Sequence, residues 1–223
     1  MDDRRRRFAA GLLAICLLAA SQTGCALFVM AGKMFFGDPV MPSAFEKRTK
    51  VNLAKSGKKV LVICTTPQIV KSELPAVDHD LMDGVSRRLR WHGISVVDRD
   101  QVRSWLDDNG GDWGPPEEIA NRCDADYIVH IDLESFAFQD RNSPGLMQGR
   151  VTGVVRAYEV ETIDGGKVAT EVFEEAIQST YPQHNPVSQD QISPRAFQQK
   201  FMDRLTTQLG QMLHSYQYSE TIE

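Results

Sequence analysis

His130, Asp132 and Glu134 fall at every second position of the run ADYIVHIDLESFAF, so a strand would project all three from one face. An imidazole between carboxylates at that spacing could ligate a metal or work as an acid and base pair. The same row also describes the solvated face of a half-exposed sheet, and that reading is preferred here. Asp78-His79-Asp80 is a second titratable cluster, and it reads as the acidic first turn of a helix, where carboxylates complement unpaired amides. Serine nucleophile elbows, HExxH pairs, phosphate-cradling glycine loops and dinucleotide fingerprints are absent from the sequence. No catalytic residue, metal site or cofactor is therefore expected. The bland reading makes the chain a binding protein, with an envelope hydrolase or metal-dependent enzyme built on His130, Asp132 and Glu134 as the alternative.

These side chains need elements to hold them. KKVLVICTTP is a short, almost continuous apolar run closed by Pro67, which suits a central strand covered on both faces. From Asp78, Leu81, Val85 and Leu89 recur every four residues with Met82 widening the stripe, giving an amphipathic helix that ends at Gly93. Residues 94–98, ISVVD, make a second short strand, so the N-terminal half is βαβ-like. Asp100 is expected to cap a short helix through Leu106, and Pro116 to open another with Glu117 and Glu118 in its first turn. The long strand from about Asp126 to Phe138 places Tyr127, Val129, Ile131 and Leu133 opposite the His130 row. Ile163-Asp164-Gly165-Gly166 joins two arms of an antiparallel hairpin. Ser193-Pro194 caps a long C-terminal helix with Phe197, Phe201, Leu205, Leu209 and Met212 in one stripe. The fold class predicted is α/β (α+β): a mixed sheet of about five strands, in two or three layers, with a βαβ-like first half, an antiparallel hairpin and a late helix.

The N-terminus carries a different kind of chemistry. Arg4 to Arg7 precede an apolar run from Phe8 to Ala20, and small or polar residues lead to Gly24-Cys25, the order of a bacterial export signal. The run is 13 residues, whereas a helix needs about 20 to cross a bilayer core. Thr23-Gly24-Cys25 resembles the lipobox of bacterial lipoprotein signals, with Gln22 where that family prefers leucine. The resemblance implies cleavage before Cys25, diacylglycerol on its sulfur and, with Ala26 following, residence in the outer membrane facing the periplasm. An uncleaved signal anchor is the alternative. Domain boundaries follow: residues 1–24 as signal, 25–57 as lipidated cysteine and tether, 58–218 as a single α/β domain, and 219–223 as a frayed tail. The apolar LFVM and MFF clusters also allow the 26–58 segment to pack as an N-terminal helix on the core.

Removing 24 of 223 residues leaves 199, enough for one substantial core. Loss of four arginines and two aspartates takes the formal charge from −5 to −7, which disfavours nucleic acid as a partner and leaves membrane contact to the lipid. Of four cysteines, Cys64 and Cys123 remain after the leader and the lipid are accounted for. They are either a disulfide or two buried thiols.

The element order, with the phrase Ala120-Asn121-Arg122-Cys123-Asp124-Ala125-Asp126-Tyr127-Ile128-Val129, resembles a group of envelope lipoprotein domains: penicillin-binding-protein activator lipoproteins, curli-secretion lipoproteins and the N-terminal domain of the Tol translocation protein. That resemblance implies a protein that binds other envelope proteins and catalyses nothing. Candidate contact surfaces are Trp105 and Trp113 around the loop 109–116, and the hairpin with its turn at Asp164 and Gly165, whose edge strand could add a partner's strand. A homo-oligomeric secretion or assembly accessory is a further reading of that hairpin.

Overall fold

A computed structural model of the chain describes residues 39–139, 143 and 145–217. The leader, Cys25 and residues 26–38 lie outside the described residues. Residues Pro42–Tyr216 make up one unit. The two-residue strands Val40–Met41 (β1) and Tyr216–Gln217 (β8) stand outside the main sheet.

The apolar run predicted as a central strand is β2, Lys59–Thr65, buried from Val60 to Cys64 on both faces. It lies parallel to β3, Ser95–Val96, and on its other side parallel to β4, Tyr127–Gln139. The phrase Ala125-Asp126-Tyr127 has a structural reason. The Asp126 carboxylate accepts from Lys59 N–H at 2.8 Å, and Asp126 N–H donates to Lys59 C=O at 2.9 Å, so this residue sets the β2–β4 register. Tyr127 O–H donates to Glu159 at 2.6 Å. β4 pairs antiparallel with β5, Leu146–Ile163, which pairs with β6, Gly166–Tyr181, and at its start with β7, Val187–Ser188. The order β3-β2-β4-β5-β6, with β7 against β5, is a mixed sheet of six strands, in keeping with the mixed sheet of about five expected.

Asp164 and Gly165 connect β5 to β6 with φ of 51° and 83°. Two successive left-handed residues make the mirror-image turn that matches strand twist, which is why Asp-Gly stands there.

Phe45 of α1 (Ala44–Thr49) meets Tyr127 and Phe173 edge-on at 5.7 Å each. Trp113 meets His130 at 4.5 Å. Because 127 and 130 point to opposite sides of β4, α1 and the 109–116 loop cover opposite faces, giving three layers around the parallel strands. With Phe45 fully buried and Leu53 of α2 (Leu53–Ser56) at 3% exposure, residues 42–57 pack with the folded unit. The LFVM and MFF clusters, on which the packed N-terminal helix reading rests, lie outside the described residues.

On the Tyr127 side, α4 (Val77–Trp91), which follows the short α3 (Gln68–Glu73), packs with α7 (Pro194–Leu213). Leu81, Val85 and Leu89 are fully buried, and Gly93 at φ 76° closes the helix while Ile94 N–H donates to Leu89 C=O. Phe197, Phe201, Leu205 and Leu209 form the buried stripe of α7, and Ser193 Oγ accepts from Ala196 N–H. On the Trp113 side lie α5 (Arg99–Asp108) and α6 (Pro116–Cys123). The α5 cap is Asp98, two residues before Asp100: its carboxylate accepts from Asp100 N–H at 2.8 Å.

Candidate functional site

The alternation expected along β4 is present, but His130 does not take part in a wet face, while Asp132 is half-buried and Glu134 exposed. His130 is 6% exposed. Register places it opposite Ile63 of β2 and Arg156 of β5, under the Trp113 ring. Its Nε2 lies 2.8 Å from Thr65 Oγ1, and that hydroxyl donates to Asp132 Oδ1 at 3.1 Å, so Nε2 carries the imidazole proton. The Nδ1 atom is buried with no hydrogen-bond partner among the described residues. Burial, with the Arg156 charge acting the same way against the opposing pull of Asp132, brings the imidazole pKa down to about 4.

Asp132 is half-buried and continues the network: its Oδ2 accepts from Arg156 Nη1 at 3.1 Å, and Arg156 Nε donates to Glu174 at 3.0 Å. Glu134 does not belong to it. The β4–β5 register shifts between Leu133 and Ser135, so Glu134 is the extra residue of a bulge and stands exposed. The bulge has a second consequence. It turns Phe136 to the side of Phe201, with ring centroids 5.6 Å apart.

Thr65, Arg156 and Glu174 are the members that sequence reasoning missed, and Tyr158 packs beside Trp113 with ring centroids 6.0 Å apart. Each of the three is one polar residue in a strand, brought to the His130 cluster by register across three strands, and no local signal marks it. Chemically the cluster is closed upon itself. Every carboxylate and the guanidinium have partners within the set, and a neutral imidazole in place of a cation leaves little to offer an anionic ligand.

Trp105 and Trp113, candidate contact residues, are both half-buried and hold each other: Trp105 Nε1 donates to Trp113 C=O at 3.1 Å. Trp91, at 75% exposure near the end of α4, is the outward tryptophan. Asp164 and Gly165 are exposed at the hairpin tip. The β6 edge, expected to be uncovered, is not bare, because Arg48 Nη1 donates to Glu174 C=O at 3.2 Å.

Cys64 and Cys123 are buried, free thiols, so the disulfide alternative is not realised. Cys123 ends α6 near the start of β4, whereas Cys64 pairs with Ile131 well along it. Roughly 15 Å of strand separates those levels, far beyond disulfide reach. Burial raises both thiol pKa values, which keeps them unreactive. Asp78 sits in the first turn of α4, as its helix-start reading expects, and it also pairs with Lys71 at 3.3 Å. Among the described residues no group of three His, Cys, Asp or Glu side chains could hold a metal, and no helix is long and apolar enough to cross a membrane.

Two clefts among the described residues measure about 680 and 540 Å³. His130 and Asp132 line neither. The larger runs between α4 and α7. The smaller is floored by the last residues of β4 and includes Glu134.

No family model matches the chain, and no curated protein matches it. It is similar to several solved structures. A PelC dodecamer from Paraburkholderia phytofirmans is 12% identical, covering 74% of this chain and 92% of that one, with a TM-score of 0.38. A lipoprotein from Neisseria meningitidis is 12% identical, with coverage of 68% and 97% and a TM-score of 0.36. A minor lipoprotein from Acinetobacter baumannii is 13% identical, with coverage of 72% and 97% and a TM-score of 0.31. Likeness at this level carries no argument about ligand, activity or assembly.

Proposed function

We propose that the protein is a lipid-anchored component of the bacterial cell envelope, held in the outer membrane through Cys25 and facing the periplasm, and that it works by binding other envelope proteins. The observation that carries this reading is the order of the first 25 residues: four arginines, a 13-residue apolar run, then Thr23-Gly24-Cys25. That order directs export, and a thiol at the cut site is the group an acyl chain can be attached to.

The geometry of the polar cluster supports binding over catalysis. An acid and base pair works when its members differ in protonation and face a substrate. Here Thr65, His130, Asp132, Arg156 and Glu174 are engaged with one another, and the imidazole lies buried beneath Trp113.

A Cys25→Ser variant tests the anchor. It is expected to lose label from radioactive palmitate and to leave the membrane fraction on a carbonate wash, while the parent protein stays. A variant that remains membrane-bound through that wash overturns the anchor reading.

A further inference from the structure

Among the described residues, strands of the main sheet lack a neighbour on one side at several places, three of which bear on partner binding. β3 is two residues long and offers little. β6 is long, but side chains from three other elements occupy its outer backbone. Glu117 accepts from Ala169 N–H at 3.3 Å, Arg48 donates to Glu174 C=O at 3.2 Å, and Gln208 donates to Gln178 C=O at 3.5 Å. Groups bonded in this way are not offered to another chain, which is how native sheets keep edges from pairing at random.

The third place is in the middle of the sheet. β2 pairs with β4 as far as Thr65↔Asp132 and then stops, because Pro67 has no N–H to continue a ladder and the chain turns into α3. β4 runs on to Gln139, paired with β5. From Glu134 to Gln139 the row that β2 vacated has no strand among the described residues. The lining of the 540 Å³ cleft includes that stretch, and its walls come from α3 and the start of α7. Leu74 and Phe138 give it an apolar surface, and Ile69 at its rim is 68% exposed. The charged residues lining it are Glu73 and Glu134, both exposed, with no lysine or arginine among the described lining residues.

We propose that this cleft receives an extended segment of a partner protein, which adds to Glu134–Gln139 as a strand in line with β2. The segment's chemistry follows from the walls: apolar side chains at alternate positions toward Leu74 and Phe138, and lysine or arginine toward Glu73 and Glu134. Main-chain bonds to the open edge supply affinity, and the two carboxylates supply selection for a basic segment and against a second copy of this acidic chain. The proposal names a surface for the binding role argued above and rests on that role.

The test uses the full-length protein in detergent and, as probe, a fluorescent octapeptide of alternating valine and lysine with blocked ends. Saturable binding by anisotropy is expected, with slowed amide hydrogen exchange over 134–139. A peptide N-methylated at alternate amides, and one with glutamate for lysine, should each bind at least about tenfold more weakly. The double variant Glu73→Lys, Glu134→Lys changes two exposed side chains and should reverse the preference between lysine and glutamate peptides, with an unchanged thermal midpoint showing that it is folded. Absence of binding overturns the proposal, as does binding that ignores N-methylation or protection of 134–139 that grows with protein concentration in the absence of peptide. Release of Cys25→Ser from membranes reads the anchor separately, so either conclusion can fail without the other.

Discussion

His130 stays neutral because its surroundings accept one proton and have no place for a second. Nε2–H points to Thr65 Oγ1, and Nδ1 is buried without an acceptor. A charge placed there would be poorly solvated, which is why the pKa is down at about 4 from an ordinary 6.5. The sign of the consequence is fixed. Above pH 6.5 the imidazole is neutral folded or unfolded, and His130 contributes nothing pH-dependent. As pH falls from 6.5 to 4 the unfolded chain takes up a proton that the folded chain refuses, so stability is lost, on the order of 3 kcal/mol in total. Urea unfolding of His130→Leu across that window should show a flatter fall than the parent; an identical slope would mean that His130 is not the group responsible. This residue also marks a limit of sequence reading. Alternation in YIVHIDL shows which face it takes, but its burial comes from Trp113, 17 positions upstream, and from Arg156 through register.

At the scale of elements, most of the punctuation was readable because it is local. Asp164-Gly165 for a hairpin, Ser193-Pro194 for a helix start and Gly93 for a helix end each have a mechanism within four residues. The bulge at Glu134 and the docking of helices were not readable, because they depend on what arrives from elsewhere. Gly84 is the clearest case. It lies in the middle of α4, where alanine would favour the helix by about 1 kcal/mol, yet a Cβ there would come within 2.5 Å of Thr206 Cγ2 and 3.2 Å of its Cβ. Thr206 is buried, and its hydroxyl is bonded to Arg88 and to Asp203 C=O, so it cannot swing aside cheaply. Gly84→Ala should therefore destabilise by about 1–2 kcal/mol despite the helix preference. Thr206→Ser removes Cγ2 and keeps the hydroxyl, so in the Gly84→Ala background it should restore stability that it costs on its own. A thermodynamic cycle on the two substitutions gives that coupling directly, and additive effects would rule out close helix contact as the cause.

Over the whole molecule, the long β6 edge of the sheet is covered by side chains while Glu134–Gln139 of β4 has no strand beside it on the β2 side among the described residues, and this difference has a consequence for association. Sixteen residues of β6 at the edge, with Val168 40% exposed, would be a template for another chain if the outer backbone were bare. Three side chains prevent this, each from a different element: Arg48 from α1, Glu117 from α6 and Gln208 from α7. Sequence reading placed the hairpin but judged its edge uncovered, since nothing in the β6 residues signals that distant helices reach back to it. Each bond is modest, near 1 kcal/mol, and the three helices have buried anchors of their own in Phe45, Ile119 and Leu209. Arg48→Ala, Glu117→Ala and Gln208→Ala together should therefore cost little thermal stability. They should still raise self-association, read as a mass that climbs with concentration in light scattering of the detergent-extracted protein. Hydrogen exchange at Ala169 should speed up at low concentration and slow as the assembly forms. A triple variant whose mass tracks the parent's at every concentration would show that the edge is kept single by something other than these three side chains. The net charge of the processed chain, −7 once residues 1–24 are gone, is the next candidate, and raising the salt concentration would then release the association that the substitutions did not.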